Sequence, residues 1–190
     1  MASNFTAVYD ACVLYPAPLR DLLMRLALKD LFRAKWTDEI HDEWIRNLLL
    51  KRPDIKPEQL DRTRQLMNKS VRDCLVEGYE DLIPSIQLPD VDDRHVVAAA
   101  ITSNADVIVT FNLKDFPPKQ LSQYNLEAQH PDDFIFNLLD LSPMLVVQAA
   151  AQQRASLKNP KKNVDEYLDT LLNQGLTQTV GILKQWRSMI

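Results

Sequence analysis

The chain has 190 residues, of which 46% are hydrophobic and 25% charged, with a net charge of -4 and only three glycines. This fits one domain, or one domain with a small helical appendage, and it excludes collagen-like, linker-like and glycine-rich all-β chains as well as a bulk basic footprint for nucleic acid. No apolar run approaches the roughly 20 residues that span a bilayer, and the N-terminus lacks the basic and apolar regions of a secretory leader, so a cytosolic protein is expected.

Phe5–Tyr9 predicts a short buried strand that ends at Asp10. Pro16 and Pro18 break the chain, and Leu19, Leu22, Leu23, Leu26 and Phe32 then recur at helical spacing over about residues 17–34. Ala34-Lys35-Trp36 reads as a second strand. Thr37 is a good N-cap, and Asp38-Glu39 suits the positive end of the helix it opens, which carries Ile40, Trp44 and Leu48 on one stripe. After Pro53 and Pro57 a long helix places Leu60, Thr63, Met67, Val71 and Cys74 on its inner face. Leu82–Leu88 is expected to be extended. Asp92 or Asp93 caps an alanine-rich helix through about Asn104. The run Asp106-Val-Ile-Val-Thr110 is the clearest strand, apolar without alternation as in a sheet buried on both faces. Leu126-Glu-Ala follows as a last strand, and Pro131 opens a helix with Phe134, Leu138 and Leu139.

This β-α-β-α-α-β-α-β-α order predicts an α/β fold, a three-layer α/β/α domain around a central, mostly parallel sheet with right-handed crossovers. Residues 1–142 form that domain, and 143–190 read as a C-terminal helical extension. Its stripes are Val164, Tyr167, Leu168, Leu171 and Leu172, then Leu176, Val180, Leu183 and Trp186. Ligands of such sheets gather at the carboxyl ends of strands, where Asp10 and Asn112 lie.

Charge is uneven along the chain. From Arg46 to Arg72 there are eight Lys/Arg against three acids, and from Asp73 to Asp93 seven acids and no Lys or Arg. From residue 151 onward six Lys/Arg face three acids. Solvated helix faces explain any one such stretch; together they also suit a metal held at the acids and a phosphate backbone at the bases.

Four places combine into one chemistry. Asp10 follows a buried strand, Glu43 sits on a helix four residues after Glu39, Asp93 opens a helix, and Asn112 and Asp115 follow the strand ending in Thr110. Hard divalent cations take oxygen ligands, and carboxylates gathered from separate elements need a cation to offset their repulsion. An ion held this way can activate water for attack on a phosphodiester. Each residue also has an ordinary structural reading. Asp10 could bond the next loop, Glu43 could be a solvated helix residue, Asp93 a plain N-cap and Asp115 a turn residue. Cys12 and Cys74 form no CxxC pair and read as small hydrophobes, His41 and His130 as surface residues, and His95, two residues after Asp93, as a solvated helix histidine, with contact to a scissile phosphate as its alternative. A phosphohydrolase with a nucleophilic Asp10 would want a second Asp at position 12, which is Cys.

The order of the pieces resembles the PIN-domain ribonucleases, and in particular the VapC-type toxins of bacterial toxin–antitoxin pairs. The matching pieces are Val8–Leu14 (VYDACVL), Asp38–Arg46 (DEIHDEWIR) and, most specific, Leu88–Ala100 (LPDVDDRHVVAAA) with Ala105–Pro117 (ADVIVTFNLKDFP). The resemblance covers about residues 5–140. It implies a metal-dependent endoribonuclease using Mg²⁺ or Mn²⁺ and leaving 5′-phosphate and 3′-hydroxyl ends. It also implies an RNA substrate, a cognate antitoxin, a homodimer and no membrane. Carried over position by position, Asp10, Glu43 and Asp93 become the acidic catalytic and metal-binding set, with Thr110 and Asp90 in support. Asn112 falls where many members place a fourth acid; it can ligate through its carbonyl but brings no charge, and Asp115 is the next acid available. Arg46, Lys51 and Arg52 would begin the basic surface for RNA. Because of Asn112, a non-catalytic PIN-like module binding RNA or protein is the alternative expectation.

Overall fold

The computed structural model describes residues 5–190. Four strands form one sheet in the order β2-β1-β3-β4, every pair parallel. They are β1 (Thr6–Tyr9), β2 (Arg33–Lys35), β3 (Val107–Val109) and β4 (Glu127–Gln129). The helices are α1 (Ala11–Leu14), α2 (Ala17–Ala27), α3 (Asp38–Lys51), α4 (Pro57–Ser70), α5 (Arg94–Thr102), α6 (Pro118–Leu121), α7 (Pro131–Leu141), α8 (Pro143–Ser156), α9 (Val164–Leu172) and α10 (Thr177–Leu183). The architecture is the expected three-layer α/β/α class, with the sheet parallel throughout.

The described chain divides into two compact units. The first holds the chain up to Tyr15 with Phe32–His130; the second holds Pro16–Leu31 with Pro131–Ile190.

In the first unit β1 and β3 lie side by side in the middle of the sheet, with Ala7 paired to Val107 and Tyr9 to Val109. Both strands are buried along their whole length, which is why neither alternates. The chain leaves β1 for β2 on one side, whereas β3 and β4 lie on the other. Strand order therefore reverses between β1 and β3, and the crevice at their carboxyl ends is where a doubly wound sheet binds ligands. Asp10 and Thr110 stand there.

Thr37 opens α3 as its spacing requires: its Oγ1 accepts from the Ile40 amide at 3.0 Å, in a fully buried setting. Thr37→Ala is expected to cost about 1 kcal/mol, the usual value of a lost cap, seen as a lower urea midpoint at unchanged slope. A buried network ties α3 to α4. Trp44 Nε1 donates to His41 Nδ1 at 3.0 Å, which leaves the His41 proton on Nε2, 2.9 Å from Asn68 Oδ1. Trp36 Nε1 donates to the same oxygen at 2.8 Å. His41 is thus a fully buried neutral histidine, its pKa lowered by burial, and not a surface residue. The sequence signal was available: Trp44 lies three residues on, on the same face.

Two further expectations differ. Leu82–Leu88 is not extended; Glu80–Ser85 forms a 3-10 turn containing Pro84, whose missing N–H would leave a gap in a strand ladder. The extended pairing lies earlier, where Trp36 bridges Leu75. The predicted helix over 17–34 stops at Ala27, and Phe32 is buried just before β2.

In the second unit the stripes face inward: Tyr167, Leu168, Leu171, Leu176, Val180 and Leu183 are buried, while Leu172 is exposed. Tyr167 donates to Gln153 Oε1 at 2.8 Å, and Gln153 Nε2 reaches the Pro18 carbonyl at 2.7 Å. The Asp132 carboxylate of α7 accepts from the Gln178 and Thr179 amides at 2.8 and 2.9 Å, supplying the cap that Leu176, the N-cap of α10, cannot. Among the described residues no helix is long and apolar enough to cross a membrane.

Candidate active site

Asp10 is 2% exposed at the end of β1. Its backbone N–H still completes the sheet, donating to Val109 O at 3.1 Å, so the strand pairing fixes where the carboxylate starts. Its Oδ2 accepts from Thr110 Oγ1 at 2.6 Å and from Cys12 Sγ at 3.0 Å. Thr110 Oγ1 in turn accepts from the Asn112 amide at 2.9 Å, and Cys12 Sγ accepts from the Phe111 amide at 3.2 Å. The turn after β3 is therefore laced to the end of β1 through one carboxylate. Burial raises the Asp10 pKa; the bonds from Cys12 and Thr110 oppose this, and the nearby Glu43 charge adds to it. Cys12 is no spare hydrophobe. Burial and the Asp10 charge push its thiol far above the usual range, so it stays protonated and serves as a donor. Thr110→Val is expected to destabilise the fold by about 1–3 kcal/mol at neutral pH, because a buried carboxylate loses a donor without losing its charge. A denaturation series should show that cost shrinking in Asp10→Asn.

Beyond Asp10 opens a pocket of about 740 Å³. One wall is a face of α3, carrying Glu39, Asp42, Glu43 and Arg46 at helical spacing. The other comprises Asp90, Asp92 and Asp93 before α5, with Asn112 and Asp115 from the turn after β3. Glu43 is half-buried in the pocket lining. Asp93 is the N-cap of α5 by position, yet its side chain makes no cap hydrogen bond. Its carboxyl belongs to the pocket, which answers the plain-cap reading. Partial burial, then the charges of Asp10, Asp90, Glu43 and Asp115, push its pKa up to about 7. The carboxylates read from the sequence thus converge on one electrostatic site.

Two features of this pocket differ from what the sequence predicts. Glu39, Asp42 and Asp92 line it alongside the expected acids, with Glu39 and Asp42 placed there by the α3 periodicity. His95 is buried at 5% exposure, not solvated. Its Nε2 lies 3.5 Å from Glu43 Oε2 and its Nδ1 3.8 Å from Glu39 Oε2. Burial lowers the His95 pKa, but Glu43, Glu39 and Asp10 outweigh it and the net shift is upward. The signal was present: on α5 the apolar run resumes immediately after His95, so its side of the helix faces inward. His130 is half-buried, edge-on to Phe111 at 5.2 Å.

The basic residues divide. Arg46 lines the pocket, Lys51 lies one turn further along α3, and Arg52 is engaged by Asp54 at 2.8 and 2.6 Å. The 46–72 stretch spans the end of α3, a connection and α4, and Arg64 within it pairs with Asp38 and Asp42.

Among the described residues no three His, Cys, Asp or Glu side chains stand close enough to form a ready-made metal site. The donor chemistry nonetheless fits a hard cation. The pocket offers oxygen ligands from several elements, and the Asp93 carboxyl is raised first by burial and then by the surrounding carboxylate charges, which a cation would offset.

A buried strand-end aspartate, a helix-borne glutamate and a helix-start aspartate gathered over the β1–β3 crevice define an acidic-pocket α/β domain. A family model for the PIN domain matches residues 6–114, which include Asp10, Glu43, Asp93 and Asn112 and stop one residue before Asp115. The chain belongs to the PIN-domain family. A second model, for the VapC50 C-terminal domain, matches residues 131–185. A protein of Mycobacterium tuberculosis named "Putative ribonuclease VapC50" is 52% identical over 64 residues, a stretch spanning 34% of this chain and 37% of that protein. No solved structure matches the chain.

Proposed function

We propose that this chain is an endoribonuclease dependent on Mg²⁺ or Mn²⁺, and the toxin of a toxin–antitoxin pair. The observation that carries the reading is the gathering of Glu43, Asp93 and Asp115 in one pocket, with Asp10 close enough for its charge to be felt there: burial first, then the charges of Asp10, Asp90, Glu43 and Asp115, push Asp93 up to about 7. The PIN match over more than half of the chain and the name of the mycobacterial relative support it.

Asp10, Glu43 and Asp93 would hold the cation, with Asn112 or Asp115 completing the set. Bound there, a divalent cation supplies a lowered water pKa and countercharge for a phosphate in in-line displacement. Thr110 and Cys12 keep the Asp10 carboxylate in one orientation, so the ligand that is most buried is also the most fixed. Asp93 gives up its proton once positive charge enters the pocket. Arg46 at the pocket and Lys51 beyond it meet the RNA backbone, and the acidic pocket is a fitting receptor for an Arg or Lys of an antitoxin segment. A homodimer and a cytosolic location complete the proposal.

Induced expression of wild type and Asp10→Ala in a bacterial host tests it. Growth arrest with discrete new 5′-phosphate RNA ends from wild type alone is the expected result. Soluble protein without arrest or new ends would favour the second reading, a binding module, for which Asn112 in the place of an acid is the supporting observation. Asn112→Asp would then be the variant to assay.

A further inference from the structure

We propose that the pocket beside the acidic one is a nucleobase subsite, in which a base adjoining the phosphate at the carboxylates stacks on Tyr15. The inference rests on the RNA reading above. The pocket encloses about 390 Å³, and Cys12, Tyr15 and Leu50 form its apolar wall. It is continuous with the acidic pocket, since Glu43, Asn47 and Asn112 line both. A strand whose phosphate lies at the carboxylates therefore has an apolar recess next to it.

The two pockets differ in what they can hold. The acidic one is lined mainly by charged and polar side chains, with Ile83 and Val91 its aliphatic members and no Phe, Tyr or Trp ring. The second offers an aromatic ring and an aliphatic side chain, with Leu50 left 75% exposed. Along α3, Glu43, Asn47, Leu50 and Lys51 recur at helical spacing, so one stripe of the helix runs from the carboxylates into the recess. Lys51 Nζ sits 5.4 Å from the centre of the Tyr15 ring. The ammonium therefore covers a ring face that a base would take, and a stacking base displaces it towards the adjoining phosphate. The side-chain amides of Asn47 and Asn112 stand on the shared rim, each able to donate to and accept from a base edge. Bases stack on aromatic side chains in single-stranded recognition, and that contact tolerates sequence while the amides supply preference.

The test uses the full chain carrying Asp10→Asn, so that RNA stays intact, in Mg²⁺ with a single-stranded oligoribonucleotide containing 2-aminopurine at each position in turn. Affinity and fluorescence are compared for Tyr15, Tyr15→Ala and Tyr15→Phe, with Tyr15→Leu as a variant that keeps apolar volume. One 2-aminopurine position should be quenched in the complex. Tyr15→Ala and Tyr15→Leu should lose that quenching and bind about 5- to 100-fold more weakly, whereas Tyr15→Phe keeps both. If Tyr15→Ala and Tyr15→Leu bind and quench like their parent, the subsite is overturned while the RNA reading stands. If the parent binds no RNA in Mg²⁺, and wild type cuts none, both fall.

Discussion

Asp10→Asn should lower RNA cleavage on the order of 10³-fold while leaving the fold intact. The amide keeps an oxygen for Thr110 Oγ1 and Cys12 Sγ, so the bonds that lace β1 to the turn after β3 can persist. What disappears is a charge, and it is the most buried one in the site. A buried carboxylate with raised pKa costs stability unless a cation meets it. Asp10→Asn should therefore melt at the same or a higher temperature than wild type without divalent ions, and gain less from added Mg²⁺. Inactivity accompanied by unfolding would point to a structural role instead.

Asp93→Asn is expected to separate function from stability more sharply. In the unfolded chain this carboxyl titrates near 3.8, and in the folded chain near 7. Between these values the native state holds the proton more tightly, so metal-free stability falls as pH rises from about 4 to about 7 and levels off above. The substitution removes that slope. Thermal melts in EDTA should show Asp93→Asn more stable than wild type at pH 8 and nearly equal to it at pH 4. Cleavage should move the other way, falling about 10²-fold or more in the variant. In wild type at limiting Mg²⁺, activity should rise as Asp93 deprotonates. A wild-type melting temperature that is flat between pH 4 and 8 would contradict the electrostatic account of the pocket.

The strand ends were the most legible part of the site. A continuous apolar run stopping at a polar residue marks a carboxyl end in a parallel sheet, so Asp10, Thr110 and Asn112 could be placed from the chain alone. Glu43 and Asp93 were legible as residues on helix surfaces, but their meeting depends on how α3 and α5 approach the sheet, which no local spacing encodes. Cys12 was misread because a thiol is ordinarily a small hydrophobe; here it donates to the carboxylate two residues away. His95 and His41 were misread because a histidine's burial is decided by its partners, Glu43 and Glu39 for one, Asn68 and Trp44 for the other. The 82–88 segment has strand-like composition, yet Pro84 and the acids before it favour a turn. The grouping of α2 with Pro131–Ile190 is a tertiary fact that a linear reading of the chain does not contain.

The most direct measurement is cleavage of RNA by the purified chain and its Asp10→Asn variant, in Mg²⁺ and in EDTA, with the new ends mapped. Discrete cuts bearing 5′-phosphates are expected from wild type in Mg²⁺ alone, with none in EDTA and none from the variant. Equal cutting by both proteins, or cutting that survives EDTA, would contradict the assignment of the acidic pocket as a cation-dependent nuclease centre.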